Sequence, residues 1–249
     1  MTLHQPSPTA HHHVTSHIRP ANDKLTLLRT IAIFDQLSAA QGALLAAELH
    51  VCSFSRRETI FQQGDPGNML YLIARGQVRI YHPSARGCEL SVAILRAGEF
   101  FGELALLDDQ PRSASAEAMC PTTTLTLTRH TFHQLLRACV PVAEALVMEL
   151  VHRMRTSTTY AAYLANPSAQ QRVGWLVLDL AQRYGVPSAD GIRIALDLTQ
   201  DDLASMIGVT RETINRALTQ LRDQQLLQLV DKQLVAPDCA RLTHALALA

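Results

Sequence analysis

Apolar and polar positions change period several times along the 249-residue chain, and each change marks a new kind of element. From residue 24 to 50, Leu25, Leu28, Ile31, Ile33 and Phe34, then Leu44, Leu45 and Leu49, fall at helical spacing. From 51 to 128 the pattern becomes short β-prone runs, TIF, MLYLIA, VRIY, LSVAIL and TLTLT. They are cut by Gly64-Asp65-Pro66-Gly67, Arg75-Gly76, the stretch from Pro83 to Gly87, and Ala97-Gly98. Short strands with a turn signal about every ten residues predict an antiparallel sandwich or jelly roll. A long helix is expected from about Pro141 to Asn166, because Pro167 disfavours helical geometry in the residue before it.

The register of that helix carries information about assembly. Val147, Val151, Met154, Thr158, Ala161 and Ala165 are spaced 4, 3, 4, 3, 4, the seam of a two-stranded coiled coil. A neighbouring stripe runs through Leu146, Leu150, Arg153, Ser157, Tyr160 and Leu164. One face therefore suits a partner helix and the other the chain's own β domain, which predicts a homodimer; a core helix inside a monomer is the alternative.

Beyond Pro167 a second unit is expected. A helix over roughly 168–184 carries Val173, Leu176, Val177 and Leu180, and GIRIALDLT alternates as a strand up to Thr199. Thr199-Gln200-Asp201-Asp202 forms a capping-box start for a helix through Ile207, and Gly208 suits a left-handed stop. Thr210 caps a second helix from Arg211 to about Arg222. Two short helices across a Gly-containing turn predict a helix-turn-helix, and LLQLVDKQLVAP predicts two wing strands about Asp231-Lys232. The expected organisation is α+β: an arm over 1–23, a β-roll domain over 24–140, a dimerisation helix over 141–166, and a winged helix-turn-helix over 167–249.

Composition narrows the class. A hydrophobic fraction of 47% provides for a globular core. No apolar run approaches the roughly 20 residues needed to span a bilayer, so no membrane partner is expected. The first 23 residues are rich in Pro, His, Ser and Thr, lack the features of a signal peptide, and are expected to be a disordered arm. Its His11-His12-His13 triplet has no second cluster of ligands, and no metal is assigned. Cys52, Cys88, Cys120, Cys139 and Cys239 are scattered without a Cys-x-x-Cys, which fits a reducing cytoplasm. No nucleophile elbow, Walker loop or His-Glu-x-x-His occurs, so no catalytic activity is expected.

Two stretches carry chemistry. In FGELALLDDQPRSAS, Glu103 and Arg112 bracket an apolar run. This is either a solvated salt bridge beside a core turn or a small pocket for a charged ligand. An anion would be served by backbone N–H groups at a short helix start and by a forked guanidinium. In GVTRETINRAL, Ile214, Ala217, Leu218 and Leu221 form a buried stripe, leaving Arg211, Glu212, Asn215 and Arg216 on the exposed side. Arg can hold guanine O6 and N7, and Glu can accept from the cytosine amino group; surface pairing of Glu212 with Arg216 is the alternative.

Both stretches, and the order of roll, long helix and winged unit, resemble the Crp–Fnr superfamily, most closely its cyclic-AMP receptor branch. The likeness covers roughly residues 25–237. FGELALLDDQPRSAS is similar to that family's phosphate-binding cassette. The resemblance implies that Gly102 gives close backbone approach, Glu103 accepts from the ribose 2′-OH, and Leu104 follows them at the ligand. It implies further that Arg112 pairs with the phosphate and Ser113 adds a hydroxyl. On the long helix it assigns Ser157 and Thr158 to the base, Thr158 from the partner's seam, with Arg153 helping to close the site or merely snorkelling to solvent. The implied effector is cAMP, with cGMP, cyclic di-GMP or no ligand as alternatives. Ser157-Thr158 reverses the family's usual order, and Ala93 stands where the family has a serine. Thr210, Arg211, Glu212, Asn215 and Arg216 are implied to meet palindromic double-stranded DNA with TGTGA-like half-sites, in a homodimer that also meets RNA polymerase. Residues 168–249 carry eight Lys or Arg against nine acids, so contact with DNA is expected to rest on a few placed side chains rather than on bulk charge.

Overall fold

The computed structural model describes residues 21–83, 89–165, 168–196, 198–231 and 233–247. The expected arm lies outside the described residues except at its end, where Ala21 already opens a helix. The chain divides into two compact units, one ending at Ile80 and resuming over Ile94–Glu149, the other comprising Tyr81–Ala93 and Leu150 onward.

The first unit begins with α1 (Ala21–Leu28), a 3-10 turn (Ala32–Phe34) and α2 (Ala39–Glu48). The helical expectation over 24–50 thus resolves into three pieces. Ser38 sets the last of them apart, because its side chain and that of Gln41 form a reciprocal capping box that starts α2. Leu28, Ile31, Ile33 and Phe34 are all buried.

The strands follow: β1 (His50–Phe54), β2 (Thr59–Phe61), β3 (Met69–Arg75), β4 (Gln77–Pro83), β5 (Glu89–Arg96) and β6 (Phe100–Phe101). After α3 (Leu104–Asp108) come β7 (Ser115–Ala118) and β8 (Thr122–Thr128). They build two four-stranded sheets, ordered β1-β8-β3-β6 and β2-β7-β4-β5. TLTLT is the centre of the first sheet: Leu125 stands opposite Val51 on β1 and Leu72 on β3, and Leu125 and Leu127 are fully buried. The far ends of β4 and β5 group with the second unit.

A helix not expected from the sequence, α4 (Arg129–Ala138), follows β8 directly. Thr128 caps it through a bond from the Thr131 N–H, and Phe132 buries its single large anchor. Cys139, in extended geometry, separates α4 from α5 (Val140–Leu164). Pro141 is accommodated in the first turn of α5, where its missing N–H costs nothing. The expected stop at Pro167 lies outside the described residues. Val147 and Met154, two seam positions, are 57% and 65% exposed, whereas Leu146 on the neighbouring stripe is buried.

The second unit contains α6 (Ala169–Tyr184), β9 (Gly185–Ser188), β10 (Gly191–Ile194), α7 (Gln200–Ile207), α8 (Arg211–Asp223), β11 (Gln228–Val230), β12 (Gln233–Ala236) and α9 (Cys239–Ala247). The strand expected through Thr199 stops at Ile194 and is half of a hairpin with GVPS. The wing strands join that hairpin in one sheet, β11-β12-β10-β9. Also unexpected is α9, which buries Leu242 and Leu246, the latter against Gly174 of α6. Among the described residues no helix is long and apolar enough to cross a membrane.

Candidate functional site

Arg112 is the centre of the first unit's site. It follows α3, and its backbone is held by the turn before β3: the Gly64 N–H donates to Arg112 O and the Arg112 N–H to Asp65 O, each at 2.9 Å. These bonds point the side chain inward, where it is only 5% exposed. Nη1 donates to Gly102 O at 2.7 Å and Nη2 to Met69 O at 2.8 Å. The guanidinium lies 4.2 Å from the centroid of the Phe61 ring, with Tyr71 behind it at 5.7 Å. An Arg side chain has five N–H donors. Two are used here, and the buried Nε has no acceptor.

No carboxylate lies at ion-pair distance from Arg112 among the described residues, which removes the alternative of a simple Glu103–Arg112 salt bridge. Burial pushes the guanidinium below its usual value, while the Tyr71, Glu103 and Asp65 charges pull it back. It remains a cation at any physiological pH. A buried cation with spare donors is a standing demand for an anion.

Gly102 is built into this arrangement. Its φ is +85°, and a Cβ there would stand 2.6 Å from Arg112 Nη1. Glu103 is buried at the start of α3, its carbonyl accepting from the N–H groups of Leu106 and Leu107. Gly102, Glu103, Leu104, Arg112 and Ser113 line one cleft together with Phe61, Ile80, Phe101, Ala105 and Ala114. Leu104 and Ser113 are exposed at it. Phe61 and Tyr71 could not be found from the sequence, because nothing local in TIF or MLYLIA marks a ring that faces an arginine more than 40 positions later.

Arg153, Ser157 and Thr158 lie on the part of α5 that belongs to the second unit. Arg153 is half-buried; Ser157 and Thr158 are exposed, and the Thr158 hydroxyl donates back to Met154 O at 3.0 Å. One turn further, the Tyr160 hydroxyl donates to Ser91 O at 3.1 Å. Burial, and secondarily Asp179, push the Tyr160 phenol well above its usual value.

The helix-turn-helix follows the sequence pattern closely. The Thr199–Asp202 capping box starts α7, Gly208 ends it at φ +64°, and the Thr210 side chain accepts from the Thr213 N–H to start α8. Ile214, Ala217, Leu218 and Leu221 are buried, and Arg211, Glu212, Asn215 and Arg216 are exposed together. Glu212 makes no ion pair with Arg216. Its carboxylate is lowered mainly by a bond from its own backbone N–H and then by the Thr210 hydroxyl. Arg211 stands 3.9 Å from Asp201 of α7, both side chains well exposed, a contact too loose and solvated to hold it.

Comparison with known proteins agrees with both units. Residues 51–139 match the cyclic nucleotide-binding domain, and residues 171–245 match the Crp-like helix-turn-helix domain. The chain is 30% identical over 218 residues to the CRP-like cAMP-activated global transcriptional regulator of Mycobacterium tuberculosis, covering 88% of this chain and 97% of that one. It is 34% identical over 187 residues to the cyclic AMP receptor protein of Thermus thermophilus, covering 73% and 83%. Among solved structures, FixK2 from Bradyrhizobium japonicum superposes with a TM-score of 0.70 at 25% identity, over 79% of this chain and 96% of that one. With two domains matched and a relative matched over nearly its whole length, the chain belongs to the Crp–Fnr family of transcription regulators.

Proposed function

We propose that this regulator is a homodimer that binds palindromic DNA in response to a cyclic nucleotide, with cAMP as the effector. One observation carries the reading: Arg112 is buried, unpaired with any carboxylate and left with spare donors beside a cleft. A cyclic phosphate diester supplies the missing anion. Gly102 gives it close approach, Ser113 adds a hydroxyl and Glu103 takes the ribose 2′-OH, with Leu104 at the rim. By resemblance to the family, Ser157 and Arg153, with Thr158 from the partner's seam, would face the base. The relatives named for cAMP support the choice of nucleotide.

The exposed Val147 and Met154 support dimerisation, since a second copy of α5 is the occupant that the 4, 3 spacing fits. Met154→Glu should convert the dimer to monomer in sedimentation velocity. In the dimer the two α8 helices would enter successive major grooves. Thr210, Arg211, Glu212, Asn215 and Arg216 would read TGTGA-like half-sites, and RNA polymerase would be met from the DNA-bound state. The nucleotide acts by binding one packing of the dimer better than the other and shifting the population toward it.

Titration of purified protein with cAMP, cGMP and cyclic di-GMP, followed by Trp175 fluorescence and by DNA affinity, tests the reading. Loss of charge-assisted bonds in Arg112→Leu should weaken the effector by roughly ten- to a hundred-fold. Arg112→Lys, which keeps the charge but not the fork, should fall between. Equal binding of cAMP by Arg112→Leu and the parent protein would refute the pocket.

A further inference from the structure

Arg129 is the first residue of α4 and is assigned to neither ligand nor DNA above, yet its side chain reaches into the cassette. Nη2 donates to Gly67 O at 2.7 Å and to Ala105 O at 2.8 Å, and Nη1 to Leu106 O at 3.5 Å. The same guanidinium pairs with Asp109. One turn along α4, His133 Nε2 meets Leu106 O at 2.7 Å, and the Arg129 backbone N–H donates to Asn68 O at 2.9 Å.

These contacts answer a specific need. The last carbonyls of a helix have no partner within it, and α3 has only five residues. A cation at that end also suits the helix dipole. Gly67 is touched from two sides: its carbonyl accepts from Arg129, and a Cβ on it would stand 3.3 Å from Arg112 Cζ. Arg129 therefore ties α3 to the turn that clamps Arg112 from outside.

Asp109 adds an electrostatic point. It lies three positions before Arg112, and its side chain is exposed except for the contact with Arg129.

We infer that Arg129 is a positioning residue for the anion site: it fixes α3 and the 64–68 turn around Arg112, and it pairs with the Asp109 carboxylate beside them. The inference rests on reading Arg112 as the phosphate partner.

The test uses full-length protein carrying Arg129→Gln, Arg129→Lys, or Arg129→Gln with Asp109→Asn. Calorimetry with cAMP and amide hydrogen exchange are the readouts. Arg129→Gln should weaken cAMP about tenfold. Adding Asp109→Asn should recover about threefold or more of that loss, because it removes the carboxylate that Arg129 had engaged; a role confined to packing would not be rescued in this way. Arg129→Lys should sit between Arg129→Gln and the parent. In Arg129→Gln, exchange should speed up in residues 64–68 and 104–109 while β3 and β8 keep their protection.

A cAMP affinity within about twofold of the parent in Arg129→Gln, or no recovery on adding Asp109→Asn, overturns the inference. Should the parent protein bind no cyclic nucleotide, the effector reading fails separately and exchange alone decides. Acceleration confined to the two segments then supports the positioning role, and a uniform rise across the roll, or none, rejects it.

Discussion

Gly102→Ala separates backbone strain from the locking of Arg112, because the fold supplies its own control. Gly102 and Gly64 have nearly the same left-handed geometry, φ +85° and +89°. A methyl group at Gly64 would meet nothing within 4 Å, whereas at Gly102 it would stand 2.6 Å from Arg112 Nη1. An L-residue in this region costs about 1–2 kcal/mol, so Gly64→Ala should lose about that much. Gly102→Ala bears the same strain and must also displace the guanidinium, which is held on its other side by Met69 O at 2.8 Å and by the Phe61 ring. The bond from Nη1 to Gly102 O is then lost, and a hydrogen bond to a charged group contributes about 1.5–3 kcal/mol. The double effect predicts a loss of roughly 2.5–5 kcal/mol for Gly102→Ala. Urea unfolding at unchanged m-value measures both variants. Cyclic-nucleotide affinity should survive in Gly64→Ala and drop in Gly102→Ala. If the two variants lose the same stability and keep the same affinity, the guanidinium is not locked between Gly102 and Met69.

Two further predictions concern the second unit. Arg211→Ala should relax preference at one G·C pair by about 1–3 kcal/mol in competition binding, whereas equal weakening on all sequences would make Arg211 a phosphate contact. The raised Tyr160 pKa means that the fold holds the phenol proton more tightly than the unfolded chain does. That stability is complete below the unfolded value near 10 and is lost as pH rises above it. Tyr160→Phe should remove this part of the alkaline slope in unfolding measurements, and identical slopes above pH ~10 would refute it.

The elements with strong periodicity were legible. All four stripe residues of α8 are buried as their spacing requires, and α5 runs unbroken for 25 residues. The missed elements have weak or misleading local signals. RHTFHQLLRA has one buried anchor, Phe132, among polar neighbours, and its start is set by the Thr128 cap at the end of a strand. GVPS carries Gly185 and Pro187, residue types depleted in strands, so nothing in it signals one. It is a strand only because β9 is a sheet edge bonded to β10 alone, where a residue without an N–H is tolerated. At the site, Gly102, Glu103 and Arg112 were legible because one short segment carries them. Phe61, Tyr71 and Arg129 were not, since each reaches the cassette through the folding of distant strands and helices, which no local spacing encodes.

The four-stranded sheet of the second unit has a mechanical consequence. β12 is an inner strand, bonded to β11 on one side and to β10 on the other. Gly191, at φ +124°, sits so close to that junction that a Cβ would lie 2.4 Å from Ala236 O. The hairpin tip at Asp231 is thus a cantilever whose root includes strands some 40 residues earlier in the chain. A bulky residue introduced at Gly191 would push on Ala236 and tilt that beam from behind, although no residue of the tip itself is altered.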